Sequence, residues 1–145
     1  MIFWLMTINE IQDQIIEEFN QFDDWMDKYN YLIDLGNQCP IIDEANKVEK
    51  NLIQGCQSRV WVNAKINEED RMQITADSDA VITKGIIALL LRVFNNQEPQ
   101  AVYDTSLYFI DKIGLTSHLS PTRSNGLLAM VKQIKLYALS FTIRK

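Results

Sequence analysis

The hydrophobic period of this chain changes twice along its length, and that change limits the fold more than any other feature. Ile8, Ile11, Ile15 and Phe19 recur at steps of three and four, which makes one apolar helix face. Thr7-Ile8-Asn9-Glu10 has the form of a capping box, so a helix is predicted from Ile8 to about Gln21. Asp23 or Asp24 caps a second helix, with Trp25, Tyr29, Leu32 and Ile33 inward and Gly36 at its end. Asn37 to Glu44 contains Pro40 and reads as a loop. The period then drops to two. Val60, Val62, Ala64 and Ile66 alternate with Trp61, Asn63 and Lys65, and Met72, Ile74 and Ala76 alternate again after the polar turn Asn67-Glu68-Glu69-Asp70. This is a β-hairpin, and Lys50 to Gln54 offers a further strand before it.

Helical spacing returns after Asp77-Ser78-Asp79, three residues suited to capping. The stretch from Ala80 to about Phe94 is apolar nearly all round, as a central buried helix should be. Lys84 and Arg92 interrupt it, and it is too short to cross a bilayer. Pro99 opens a short helix, and Tyr108 to Ile113 forms another that stops at Gly114. Ser120 caps the last helix with Pro121 in its first turn; Leu127, Val131, Ile134, Ala138 and Phe141 form its inner stripe. Two helices, a small antiparallel sheet and then several helices make an α+β domain.

One domain fits 145 residues, and 47% hydrophobic residues suffice for a core without metals or disulfides. Residues 7–145 read as that single domain. Met1 to Met6 is apolar but lacks a basic n-region and is too short for a signal or a span; Met6 reads as the start and the residues before it as a non-native or disordered extension. A net charge of −5 argues against nucleic acid and against an anionic membrane surface. Two cysteines make no disulfide framework and no metal-binding spacing, which fits a reducing cytoplasm.

Cys56 is the residue with chemistry to offer. Gly55 precedes it and leaves the backbone open to a large partner; Gln57 and Ser58 follow it, and Gln54 stands two residues before. A buried core cysteine is the ordinary fate of a free thiol, but amides and a hydroxyl do not bracket a core strand position. An accessible thiolate is the reactive form.

Three segments together resemble the SufE family of sulfur-acceptor proteins. They are Asn51 through Trp61, Asp77-Ser78-Asp79-Ala80-Val81-Ile82-Thr83-Lys84-Gly85, and His118-Leu119-Ser120-Pro121-Thr122-Arg123-Ser124-Asn125-Gly126-Leu127. Trp25, Lys28-Tyr29 and Leu35-Gly36 fit as well. The resemblance implies a fold similar to the iron–sulfur scaffold (IscU-like) proteins. It implies that Cys56 takes sulfane sulfur from the persulfide of a cysteine desulfurase of the SufS-like kind, stimulates that enzyme, and passes the sulfur to a cluster-assembly scaffold complex. Pyridoxal phosphate belongs to the desulfurase, so the chain is expected to carry no cofactor and no metal. A homodimer is compatible with this reading. The loaded persulfide needs shelter from reductants, so Cys56 is expected to alternate between buried and extended states.

The supporting residues each have two readings. Arg123 either lowers the Cys56 pKa or pairs with the partner, or it is an exposed helix arginine. Asp79 orients the cysteine loop or caps the buried helix, and the two roles are compatible, the cap being the simpler. His118 is the only histidine; it belongs either to a Cys56–His118 hydrolase pair, for which no third orienting group is evident, or to the structural framework. Cys39 is a resolving thiol or incidental. Glu17, Glu18, Asp23, Asp24 and Asp27 form a solvated face or a docking surface for a basic partner. Competing functions are sulfur relay to a non-cluster acceptor, an iron–sulfur binding scaffold, for which two cysteines and one histidine are few ligands, and the hydrolase.

Overall fold

A computed structural model describes residues 6–39, 45, 47–53 and 59–143. Residues 1–5, and with them the extension before Met6, lie outside the described residues. Helices α1 (Ile8–Phe19) and α2 (Trp25–Gln38) come first, then strands β1 (Val60–Ile66) and β2 (Met72–Ser78). Helices α3 (Val81–Phe94), α4 (Pro99–Asp104), α5 (Phe109–Lys112), α6 (Leu115–His118) and α7 (Pro121–Ile143) follow. This is the α+β arrangement that the change of period predicts.

The start of α1 is set by a reciprocal cap. Thr7 Oγ1 accepts from the Glu10 amide at 3.1 Å, and Glu10 Oε1 accepts from the Thr7 amide at 3.0 Å. Ile8, Ile15 and Phe19 are buried as the spacing requires, and Ile11 packs against the core edge. Gln12 is also fully buried on that face. Its Nε2 donates to Ser106 O (3.2 Å) and Asn9 Oδ1 (3.3 Å), and its Oε1 accepts from the amides of Tyr108 (2.9 Å) and Phe109 (3.2 Å). One side-chain amide thereby fastens α1 to the start of α5 with all of its polar atoms paired.

Helix α2 begins at Asp24, whose Oδ1 accepts from Met26 N. It does not end at Gly36, as the sequence suggested, but continues to Gln38. Gly36 serves close packing instead. A Cβ there would lie 2.7 Å from Gly85 N and 2.9 Å from Lys84 C, and a Cβ on Gly85 would lie 2.6 Å from Leu32 Cγ. The two glycines let the backbones of α2 and α3 touch, which no larger residue permits.

The hairpin pairs Val60 with Ser78 through Ile66 with Met72, antiparallel. Asn67 closes its turn, with Oδ1 accepting from the amides of Glu69 and Arg71, and Asp70 takes a left-handed φ of 61°. The expected third strand does not form among the described residues. Glu49–Asn51 is a 3₁₀ turn instead, and Leu52 makes an isolated bridge to Trp61. The outer edge of β2 is covered: Met72 pairs with the backbone of Asn96 and Gln97, while the Asn95 side chain pairs with Ile74 N (2.6 Å) and Ile74 O (3.0 Å), as a neighbouring strand would.

Helix α3 is the buried centre, with Ile86, Ile87, Leu89, Leu90, Val93 and Phe94 all within the core. Each such side chain contributes roughly 1.5–3 kcal/mol by leaving water. Helix α7 buries Leu127, Met130, Ile134, Ala138 and Phe141. By length and composition alone α7 could cross a membrane. Here it lies along α4, β1 and α3, and its buried stripe completes the core. Gly114 ends α5 with φ 80°, and the single turn α6, absent from the sequence reading, fills the path to α7. Ser120 Oγ accepts from Arg123 N at 3.3 Å, as its capping position predicts.

Candidate functional site

Gln54, Gly55, Cys56, Gln57 and Ser58 lie outside the described residues, and so does the expectation that Cys56 moves between buried and extended states. The structure fixes what holds that segment at each end. Upstream, Ile53 N donates to Val60 O at 2.8 Å, next to the Leu52–Trp61 bridge. Downstream, Arg59 is held on both of its peptide groups. Its amide donates to Asp79 Oδ1 (3.1 Å), and its carbonyl accepts from Asp79 N (3.3 Å) and Ser78 Oγ (2.7 Å). Both arms therefore end on the β1–β2 ladder.

Asp79 is therefore bonded to the backbone of Arg59, where the chain leaves the cysteine-bearing segment. It is not the cap of the buried helix: the cap position is Ala80, with no side-chain capping bond, and Ser78 Oγ accepts from Ala80 N at 3.2 Å. The physical reason is chain direction. The backbone leaves β2 still extended at Ala80, which aims the Asp79 carboxylate at the neighbouring strand rather than at the first turn of α3.

Beneath this base lies a buried carboxylate that the sequence reading missed. Asp77 is 8% exposed and sits between two ammonium groups, Lys47 Nζ at 3.3 Å and Lys84 Nζ at 3.6 Å. Lys47 also lies 5.5 Å from the centroid of the Trp61 ring. Two cations around one anion make burial of the charge tolerable. Alternation places Asp77 out of phase with the inward Ile74 and Ala76, so periodicity marks it as exposed; only Lys47, thirty positions away in the chain, explains why it is not.

His118 and Arg123 make their described contacts elsewhere. The His118 ring stacks on Trp25 at 3.7 Å and 20°, with Nδ1 3.1 Å from Gly114 O. Its own carbonyl accepts from Tyr29 Oη at 2.5 Å. These contacts make the imidazole a fastener between α6 and α2. Arg123 is exposed, and no hydrogen bond or ion pair among the described residues joins it to Arg59 or Asp79. Cys39 follows α2 half-buried beside a groove of about 470 Å³ lined by Leu35, Ile74, Ala88, Leu91 and Asn95 among others. Burial pushes its thiol pKa up, the Asp77 carboxylate adds to that, and Lys84 opposes it. Such a thiol is protonated and a weak nucleophile at neutral pH. Among the acidic residues weighed as a docking face, Glu18 is committed internally: its two oxygens accept from Arg92 at 2.8 Å each.

The fold and these fixed ends define a small α+β domain in which the segment carrying Cys56 is joined at both ends to a two-strand base. The SufE domain model, described as an Fe–S metabolism associated domain, matches residues 13–138, and the chain belongs to the SufE family. The structure is also similar to the solution structure of a hypothetical protein from Thermus thermophilus, with a TM-score of 0.76 over 92% of this chain and 96% of that one. The two share 18% sequence identity, so this likeness speaks for the fold.

Proposed function

We propose that this protein is a sulfur carrier that accepts sulfane sulfur on Cys56 from the persulfide of a SufS-like, pyridoxal-phosphate-dependent cysteine desulfurase, stimulates that enzyme, and delivers the sulfur to an iron–sulfur cluster assembly scaffold in the cytoplasm. The observation that carries this reading is the family match, which spans Cys56 and both of its anchored arms. The step is exchange at sulfur. The Cys56 thiolate attacks the outer sulfur of the partner's persulfide, the S–S bond there breaks, the partner's cysteine leaves as a thiolate, and Cys56 becomes the persulfide. No electrons are gained or lost overall, so this chain needs no cofactor for the step.

The anchored arms suit that chemistry. Cys56 is three residues from Ile53 and three from Arg59, so chain length holds its Cα within about 11 Å of each end. The thiol can enter a partner's cleft only if the partner meets the β1–β2 base.

The test is intact-protein mass spectrometry without reductant, after incubation with the desulfurase and cysteine. Gain of one sulfur atom is expected in the native chain and in Cys39→Ser, and none in Cys56→Ser. A native chain that gains nothing from a desulfurase shown to be active would sink the carrier role, and loss of loading in Cys39→Ser would overturn the single-thiol mechanism.

A further inference from the structure

We infer that Lys47 and Asp77 are positioning residues for the cysteine-bearing segment, a clamp that ties the chain entering it to the chain leaving it. The inference rests on the sulfur-carrier reading for its functional half and on geometry alone for its structural half. Lys47 belongs to the entering arm, two residues before the 3₁₀ turn Glu49–Asn51 that leads to Ile53. Asp77 belongs to β2 and stands opposite Trp61, the second residue of β1 in the leaving arm. Lys47 touches both partners, through its ammonium on the Asp77 carboxylate (3.3 Å) and over the Trp61 ring (5.5 Å). Leu52, from the same arm as Lys47, bridges to Trp61. Lys84 then fastens Asp77 to the first turns of α3 at 3.6 Å, so the clamp is referred to the most buried element of the core.

The physical argument is about which contacts set the spacing of the arms. The backbone contacts described there amount to one isolated antiparallel bridge, Leu52 to Trp61, which includes the Ile53 to Val60 hydrogen bond, where a third strand would have supplied a full ladder. An entering arm with so short a ladder opens easily unless side chains hold it. The Lys47–Asp77 pair supplies that hold with Asp77 almost wholly out of water, where an ion pair is screened least. Asp79 fixes the leaving arm at Arg59, and Lys47–Asp77 fixes the entering arm against the same strand. Together they hold constant the spacing of the two arms between which the cysteine-bearing segment runs.

The experiment is amide hydrogen exchange on the full chain for Lys47→Met, Asp77→Asn and Lys47→Arg. It is paired with the rate of sulfur loading from the desulfurase at several concentrations of the acceptor. In Lys47→Met the Ile53 amide should exchange about tenfold faster, while amides in the centre of α3 keep their protection. Loading kcat should fall severalfold with KM little changed, and Lys47→Arg should recover both. An Ile53 amide that exchanges at the native rate overturns the clamp, as does equal acceleration of every amide. Faster exchange with unchanged loading kcat overturns the positioning role. Asp77→Asn serves as the second variant, since it keeps the size of the side chain. Exchange needs no desulfurase, so failure of the carrier reading, seen as no loading in the native chain, is distinct from failure of the clamp.

Discussion

Replacing Gly85 by alanine should separate the two helices on which the site rests. A Cβ at that position would crowd the Leu32 carbonyl oxygen and lie 2.6 Å from Leu32 Cγ and 2.9 Å from Leu32 C. Ordinary contact begins near 3.4 Å, so α2 must retreat from α3 by most of an ångström. Backbone atoms are involved, so no rotamer change relieves the clash. Overpacking of this kind costs about 3 kcal/mol when the backbone has to move. Alanine returns about 1 kcal/mol through helix propensity. The net expectation is a loss of about 2 kcal/mol, or a fall in Tm of roughly 4–8 °C for a domain of this size. Gly36→Ala presses on the same crossing, 2.7 Å from Gly85 N, so the double variant should lose less than the sum of the two. Urea denaturation followed by Trp fluorescence gives the free energies. A Gly85→Ala protein as stable as the native one, or more stable, would refute the close approach, because propensity alone would then decide the outcome.

Gln12→Ala should cost about 3 kcal/mol, because the amides of Tyr108 and Phe109 and the Ser106 carbonyl lose a buried partner together; thermal denaturation checks this, and a loss below about 1 kcal/mol would mean that water replaces the amide. The Glu18–Arg92 pair should make stability fall on the acid side. Arg92, with Tyr31, holds the Glu18 carboxyl below its usual range against the opposing effect of burial, so its contribution is complete above the ordinary carboxylate pKa and is lost as pH falls through the lowered one. Glu18 and Arg92 are both partly exposed, so the effect is small, and the stability gap between native and Arg92→Leu should be constant above the ordinary carboxylate range and shrink as pH falls through the lowered Glu18 value. Burial, and then the same carboxylate, push Tyr31 up to about 12, so that hydrogen bond is complete below the ordinary tyrosine pKa and disappears as pH rises through about 12.

Much of the fold was written in periodicity and caps. Thr7 and Glu10 start α1, Asp24 starts α2, the alternation from Val60 to Ala76 gives the hairpin, and Ser120-Pro121 starts α7, because each of these depends on neighbours within four residues or on a repeating face. The family, too, was legible in the segments around Cys56, Asp79 and His118, and the match over residues 13–138 agrees. Local pattern misled where a residue answers to a distant part of the chain. Gly36 has the look of a helix stop, yet α2 runs through it because Gly85 needs the space. Asp79 has the look of a cap, yet its carboxylate turns to Arg59. The sequence by itself determined which residues are apolar, where helices start, where the chain changes period and which thiol is flanked by open backbone. Tertiary structure alone decided that Asp77 is buried between Lys47 and Lys84, that His118 is engaged by Trp25, and that both arms of the cysteine segment end on one ladder. Those are contacts between residues tens of positions apart, and their energies exist only once the helices and the hairpin have packed.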